Sequence, residues 1–145
     1  MNNLKGSWRL LAWRRTTSKG DVSYPLGEDA SGLLVYTSTG RMMVQMTAAR
    51  RPALETTDPL GGSAEERAAA YSTSLGYFGS YRVAEGKVTH RIEGSSFPNW
   101  SETEQVRPYE LKGDELILRT PPSESGGVTT VNEMSWIRDK GPADA

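Results

Sequence analysis

The sequence predicts an all-β protein, an eight-stranded antiparallel up-and-down β-barrel with one short helix at the open end between strands 3 and 4. Three observations carry that prediction. Eight apolar runs of strand length are spread along the 145 residues. The joins between them are, in order, long, tight, long, tight, long, tight and long. Around two of the tight joins the side chains alternate cleanly between an apolar and a charged face, as the period of a strand requires. In an up-and-down barrel every second join falls at the same end. The tight joins Ser38-Thr39-Gly40, Glu85-Gly86 and Lys112-Gly113-Asp114 therefore close one end. The segments Thr17–Ser31, Ala48–Ser74, Ser95–Glu102 and Pro121–Gly127 surround the other, which makes the sheet a cup with its mouth at the long loops.

The first strand, Ser7–Thr16, has Trp8, Leu10, Ala12 and Arg14 on one face and Arg9, Leu11, Trp13 and Arg15 on the other. The Trp8 face is placed inside, because Arg9 and Arg15 are costly to bury. Strands two and three, Gly32–Thr37 and Arg41–Thr47, form a hairpin whose apolar face is Leu34, Tyr36, Met42, Val44 and Met46. With these faces inward, Leu11, Trp13, Leu33, Val35 and Met43 form an outward apolar patch. Such a patch points to an interface, and a homodimer is expected through it. The alternative is that inside and outside are exchanged in these three strands, since a slip of one residue inverts a whole face.

The third join holds the helix. Ser63 with Glu66 three residues on is a capping box, and Ala64, Ala68, Tyr71 and Leu75 follow at helical spacing. Two roles are open to it: a lid over the mouth, or a plug that shields the barrel end. Strands four and five, Leu75–Ala84 and Lys87–Gly94, set Val83 opposite Val88 across Glu85-Gly86. Tyr77, Gly79, Tyr81 and Val83 then face inward with Val88, His90 and Ile92. Ser80, Arg82, Thr89, Arg91 and Glu93 face solvent, with Phe78 as the exception.

Strands six and seven, Thr103–Leu111 and Glu115–Thr120, set Leu111 opposite Leu116. Gln105, Arg107, Tyr109 and Leu111 point inward with Leu116 and Leu118, and Glu104, Glu110, Glu115 and Arg119 point out. Pro108 lacks a ladder donor, so a bulge or a locally broken pair is expected there. In the last strand, Val128–Arg138, the inward set is Asn132, Met134, Trp136 and Arg138. The barrel domain is expected to span residues 1–139, with 140–145 a frayed tail.

Composition narrows the function classes. The chain has no cysteine and one histidine, so disulfides and thiolate metal sites are excluded, and no carboxylate-rich metal cluster is visible. No metal and no cofactor are expected. The formal net charge of −1 gives no electrostatic reason to expect nucleic acid or an anionic membrane as partner. The polar start Met1-Asn2-Asn3-Leu4-Lys5 does not resemble a signal peptide, and no apolar stretch approaches membrane-spanning length. The expected location is cytoplasmic.

Gly6-x-Trp8 on the first strand, with Arg138 ending the last, resembles the calycin pattern of lipocalins and their relatives. In that pattern the tryptophan packs against the arginine across the closed end through a cation–π contact. More specifically, the chain resembles the bacterial and fungal lipocalin-like domain family. The stretches that carry the resemblance run through the chain in order: Leu4-Lys5-Gly6-Ser7-Trp8-Arg9-Leu10, Pro25-Leu26-Gly27, Gly32-Leu33-Leu34-Val35-Tyr36-Thr37, Gly79-Ser80-Tyr81, Val88-Thr89-His90, Phe97-Pro98-Asn99-Trp100, Glu104-Gln105-Val106-Arg107 and Trp136-x-Arg138. The resemblance implies a barrel with an internal pocket and no single activity.

Within the cup the residues point to a ligand site. His90 faces inward opposite Tyr81, and Arg107 on the next strand reaches the same region. A buried arginine needs an anionic or strongly polar partner, and no inward Asp or Glu is found in the deduced faces. A ligand carboxylate, enolate or carbonyl oxygen fills that role, and a water-satisfied network with Tyr109, Gln105 or backbone carbonyls is the alternative. The expected ligand-binding residues are Tyr36, Met42, Val44, Met46, Tyr77, Tyr81, His90, Gln105, Arg107, Tyr109, Leu118, Met134 and Trp100. Methionines adapt to an irregular guest and aromatics give it flat contact area. A barrel of this size can equally be packed solid. Phe97 and Trp100 in the mouth loop either close over a guest or pack locally.

The function expected is binding of a small hydrophobic molecule that carries an acid or carbonyl group. The alternative is a cofactor-independent cyclase or isomerase of a polyketide-like intermediate, with Tyr81, His90 and Arg107 as its catalytic residues. A third possibility is an interaction module with a filled core and the outer patch as its working surface.

Overall fold

The computed structural model describes residues 3–142. Ten strands and one helix follow in the order β1 (Gly6–Thr17), β2 (Val22–Ser23), β3 (Ser31–Tyr36), β4 (Arg41–Thr47), α1 (Ala64–Ser72), β5 (Ser74–Ala84), β6 (Lys87–Ser95), β7 (Glu104–Lys112), β8 (Glu115–Arg119), β9 (Ser123–Ser125) and β10 (Val128–Asp139). Each of the β1, β3, β4, β5, β6, β7, β8 and β10 staves pairs antiparallel with the next, and β10 pairs back onto β1, so the sheet is a closed barrel. Closure removes the free edges an open sheet exposes. The expected barrel and the helix after its third stave are therefore both present.

Two short strands, β2 and β9, add to that prediction. β3 pairs with only the first four residues of β1, Gly6–Arg9, so the rest of β1 outruns its neighbour. β2 covers Arg15 and Thr16 of the overhang, and β9 covers Val128–Thr130 of β10 in the same way. Backbone donors and acceptors left bare at the mouth thus gain partners. Neither Val22–Ser23 nor Ser123–Ser125 carries an apolar alternation, so the side chains gave no sign of them.

The hairpin registers are those the turns imply. Val83 sits opposite Val88, Tyr81 opposite His90, and Leu111 opposite Leu116. Gly86 and Gly113 take positive φ of 75° and 60° in these turns, a region that glycine enters without a Cβ penalty. Pro108 produces no bulge: it lies opposite Lys87 in an unbroken ladder with β6. The Tyr109 N–H bonds Gly86 O on that side, so the Pro108 nitrogen turns toward β8, where pairing has already ended at Tyr109–Leu118. Thr89, expected in solvent, is covered between Arg82 and Val106 of the flanking strands.

One bulge corrects the faces of β1. Leu10 lies opposite Trp136 and Ala12 opposite Ser135, so Leu11 is an extra residue in the ladder. Beyond it the faces exchange. Arg14 points out, and Trp13 and Arg15 point in, contrary to the uninterrupted alternation expected. The cost of turning Arg15 inward is offset by its Nε donating to Asn132 Oδ1 at 2.9 Å and by its guanidinium lying 5.8 Å from the Trp13 ring centroid. The outer apolar patch accordingly lacks Trp13; Leu11, Leu33 and Met43 remain exposed, with Phe78 beside Met43 on the adjoining strand.

A second bulge lies between Phe78 and Gly79, where Glu93 is the additional residue on β6. The strands close in so far that a Cβ on Gly79 would stand 1.9 Å from Arg91 O. Glycine is therefore required there by close approach.

The capping box forms as expected: Ser63 Oγ accepts from the Glu66 N–H, and Glu66 accepts from the Ser63 N–H. The helix has no buried residue and packs beside the mouth against residues 51–54, leaving a groove. At the tail, Lys140 Nζ lies 4.0 Å from Asp114 Oδ2, and residues 143–145 of the expected frayed end lie outside the described residues.

Candidate functional site

The barrel interior is layered from a closed floor to an open mouth. Trp8 and Trp136 form the floor, both fully buried. The Trp8 Nε1–H donates to Leu4 O at 2.9 Å, and the Arg138 guanidinium stands 4.2 Å from its ring centroid. Arg138 in turn donates to the carbonyls of Lys5 and Asn3 at 3.1 and 3.0 Å. The cation–π contact implied by the resemblance is present. Gly6 holds φ of +121° to bring the chain across this end.

Above the floor His90, only 1% exposed, is held between two phenols. Tyr36 Oη lies 2.6 Å from Nε2 and Tyr77 Oη lies 2.7 Å from Nδ1. Both tyrosines were expected to line the cup, but sequence gave no sign that they, rather than Tyr81, bond the imidazole. Tyr81 stands across the strand pair from His90 as expected; its hydroxyl donates to Thr37 O at 2.8 Å, and its ring packs on Tyr36 at 4.6 Å. Burial, and then the charge of Arg107, push His90 down to about 3, so its imidazole is neutral near pH 7. Burial raises Tyr36 well above the usual phenol value. It also raises Tyr77, where Arg107 works in the opposite direction through its charge and a side-chain hydrogen bond. Both phenols therefore keep their protons.

Arg107 is 4% exposed. Its guanidinium lies 5.8 Å from the Trp100 ring centroid, and Nη1 donates to Val106 O at 3.4 Å, a long bond. Among the described residues no carboxylate pairs with it: the arginine ion pairs all belong to exposed or half-buried arginines on the outer face and at the barrel ends. A buried guanidinium without a counter-ion is the condition the sequence pointed to.

At the mouth lies a cavity of about 260 Å³. Its walls are Trp13, Arg15, Met46, Leu75, Tyr77, Phe97, Trp100, Arg107, Thr120, Asn132 and Met134. Phe97 and Trp100 meet edge to face at 5.5 Å, and Trp100 meets Tyr77 likewise at 5.8 Å, so the loop aromatics pack on one another and on the barrel in the wall of this space. No residue of α1 borders it. Of the expected binding residues, Met46, Tyr77, Trp100, Arg107 and Met134 line the cavity. Tyr36, Met42, Val44, Leu118 and His90 are buried beneath it, and Tyr81, Gln105 and Tyr109 stand half-buried around that lower layer. Gln105 donates to Thr103 Oγ1 at 3.0 Å. Trp13 and Arg15 are the lining residues the alternation missed. Their signal is a change of phase in β1, where the large apolar residues fall at even positions at Trp8 and Leu10 and at odd positions at Leu11 and Trp13.

A cavity with these walls suits an apolar, flat guest with one polar end. No group of three or more His, Cys, Asp or Glu that could hold a metal occurs among the described residues. No helix among them is long and apolar enough to cross a membrane.

A barrel with this floor, this arginine and this pocketed mouth has the form of a calycin-type small-molecule binder. The chain belongs to the lipocalin-like domain family, whose model matches residues 5–138. It is 33% identical over 104 residues, 66% of this chain and 94% of its relative, to a protein of Aspergillus oryzae (strain ATCC 42149 / RIB 40) named 4'-hydroxy-3'-methoxypropiophenone carrier protein ppsC. A lipocalin-like protein from Bacteroides uniformis ATCC 8492 matches its fold with a TM-score of 0.50, over 95% of this chain and 100% of that one, at 11% identity. The fold and a carrier among its relatives agree with small-molecule binding.

Proposed function

We propose that the protein binds a small aromatic molecule bearing a carbonyl or carboxylate group, held in the mouth cavity with that group toward Tyr77 and Arg107. The observation that carries this reading is Arg107, a buried cation in an aromatic cavity with no carboxylate paired to it among the described residues. Arg107 has Tyr77 and Val106 O as hydrogen-bond partners but no opposite charge. A buried charge left so is unfavourable, and a guest oxygen supplies a further acceptor. Trp13, Phe97 and Trp100 offer flat faces to a ring, and Met46 and Met134 adapt to an alkyl chain. The named ligand of the Aspergillus oryzae relative is an aryl ketone, a molecule of this kind. Proton transfer by His90 or Tyr81 does not fit the arrangement. Both ring nitrogens of His90 are engaged and neither residue borders the cavity.

The test is a fluorescence titration with 4'-hydroxy-3'-methoxypropiophenone. Two of the four tryptophans, Trp13 and Trp100, line the cavity, so a guest there changes their emission. A saturating curve is expected. Arg107→Gln removes a charge-assisted hydrogen bond of about 1.5–3 kcal/mol, which corresponds to roughly ten- to a hundredfold weaker binding. A flat titration, or an Arg107→Gln variant that binds as tightly as the parent, contradicts the reading.

A further inference from the structure

We propose that His90 is held as its Nδ1–H tautomer and thereby fixes Tyr77 as a hydrogen-bond donor to the guest, so that the site selects a guest oxygen that accepts. This rests on the reading of the cavity as a binding site and names the ligand chemistry it takes.

A neutral imidazole has one nitrogen that donates and one that accepts. Tyr36 is 1% exposed, and His90 Nε2 is the one hydrogen-bond partner of its hydroxyl among the described residues. If Nε2 carried the proton, the Tyr36 O–H would be buried with nothing to accept it, which is unfavourable. With Tyr36 donating to Nε2, the one hydroxyl left without a protein acceptor is that of Tyr77, which lines the cavity, whereas Tyr36 does not. The imidazole proton then sits on Nδ1 and is donated to Tyr77 Oη at 2.7 Å. Tyr77 is thus relieved of its role as donor to the histidine, and its own proton is free to serve the cavity it lines.

The other polar side chains around that space agree in sign, the Thr120 hydroxyl oxygen being already engaged as acceptor for the Asn132 N–H at 3.0 Å. Arg107 presents donors only. Asn132 Oδ1, the amide oxygen in the lining, already accepts from Trp13 Nε1 and Arg15 Nε, both at 2.9 Å. The polar end of the cavity is therefore an array of donors. It takes a ketone, a carboxylate or a phenolate, and it offers no gain to a group whose only role is to donate. Tyr36 and His90 act through Tyr77 as positioning residues.

Two measurements decide this. The chain has one histidine, so protein labelled with ¹⁵N-histidine gives one imidazole in a long-range ¹H–¹⁵N spectrum. The expected spectrum has a protonated Nδ1 and a bare Nε2, unchanged between pH 7 and 5. A protonated Nε2, or averaging between tautomers, overturns the proposal without reference to any guest.

The second measurement compares propiophenone with propylbenzene, which replaces the carbonyl by a methylene. The parent is expected to prefer the ketone by about tenfold or more, the worth of a hydrogen bond to a cavity donor. In Tyr36→Phe, Nε2 loses its donor and His90 Nδ1 becomes the acceptor for the Tyr77 proton. The preference should fall severalfold while propylbenzene binding stays unchanged, although Tyr36 does not border the cavity. An undiminished preference in Tyr36→Phe overturns the proposal. If the parent binds neither molecule, the binding reading itself falls, and the guest-directed half of this proposal falls with it.

Discussion

Trp8→Ala is expected to lower the stability of the protein by about 3–5 kcal/mol, the range for truncating a buried aromatic. Trp8 is 0% exposed and makes three kinds of contact at once. Its ring fills the barrel floor, its Nε1–H satisfies Leu4 O, and its face receives Arg138. Alanine leaves a cavity, removes the indole N–H donor to Leu4 O, and leaves a half-buried guanidinium without its aromatic platform. Arg138 also ties the chain before β1 to β10 through Asn3 O and Lys5 O, so the loss extends to closure of that end. Small domains have about 5–15 kcal/mol in total, and the variant should lie near the limit of folding. Urea unfolding followed by far-ultraviolet circular dichroism measures this. Trp8→Phe, which keeps a ring but loses the N–H, should fall between the two. An alanine variant within 1 kcal/mol of the parent, on the order of a surface substitution, would show that the floor is not where the barrel is held.

The second large effect is a loss of stability in mild acid. His90 sits at about 3 in the folded protein, through burial first and Arg107 second, against an ordinary value of 6.5. Between those values the unfolded chain takes up a proton that the folded chain does not. Stability is therefore constant above about pH 6.5 and falls by about 1.4 kcal/mol for each pH unit below it. From pH 7 to 5 the expected loss is about 2 kcal/mol. The carboxylates whose values shift, Asp29, Glu66, Glu104 and Glu110, are all lowered by their partners, so the stability they lend starts to be lost only at the acid end of this window, as the unfolded chain begins to protonate them. His90 is the only histidine, so most of the slope between pH 7 and 5 belongs to it. Urea midpoints at the two pH values should differ clearly for the parent and much less for His90→Gln. A parent with equal midpoints would mean that the imidazole accepts a proton in place, which its burial and Arg107 oppose.

The fold was legible because the turns gave the register. Gly86 and Gly113 fixed two hairpins, and from them the inward placement of Tyr77, Tyr81, His90 and Arg107 followed by counting. Counting failed where the ladder does not advance one residue against one. At Leu11 a single extra residue exchanged the faces and brought Trp13 and Arg15 to the mouth, where they supply part of the binding wall. The apolar phase change in β1 was visible in the sequence, but the cost of burying Arg15 argued against it; Asn132, far along the chain, offsets that cost. The hydrogen bonds of His90 were not legible for a different reason. Opposition across a strand pair places Cα atoms, and Tyr81 is indeed opposite His90. Which hydroxyl meets the ring depends on how side chains cross the closed barrel, and Tyr36 arrives from β3, three staves away.

The central claim is that the mouth cavity holds an aromatic guest by its oxygen. A crystal structure of the complex with 4'-hydroxy-3'-methoxypropiophenone tests it most directly. The account expects the carbonyl oxygen at hydrogen-bond distance, about 3 Å, from both Tyr77 Oη and the Arg107 guanidinium, with the ring between Trp13, Phe97 and Trp100. A guest seated instead in the groove between α1 and residues 51–54, or one whose oxygen points out of the mouth, would contradict it.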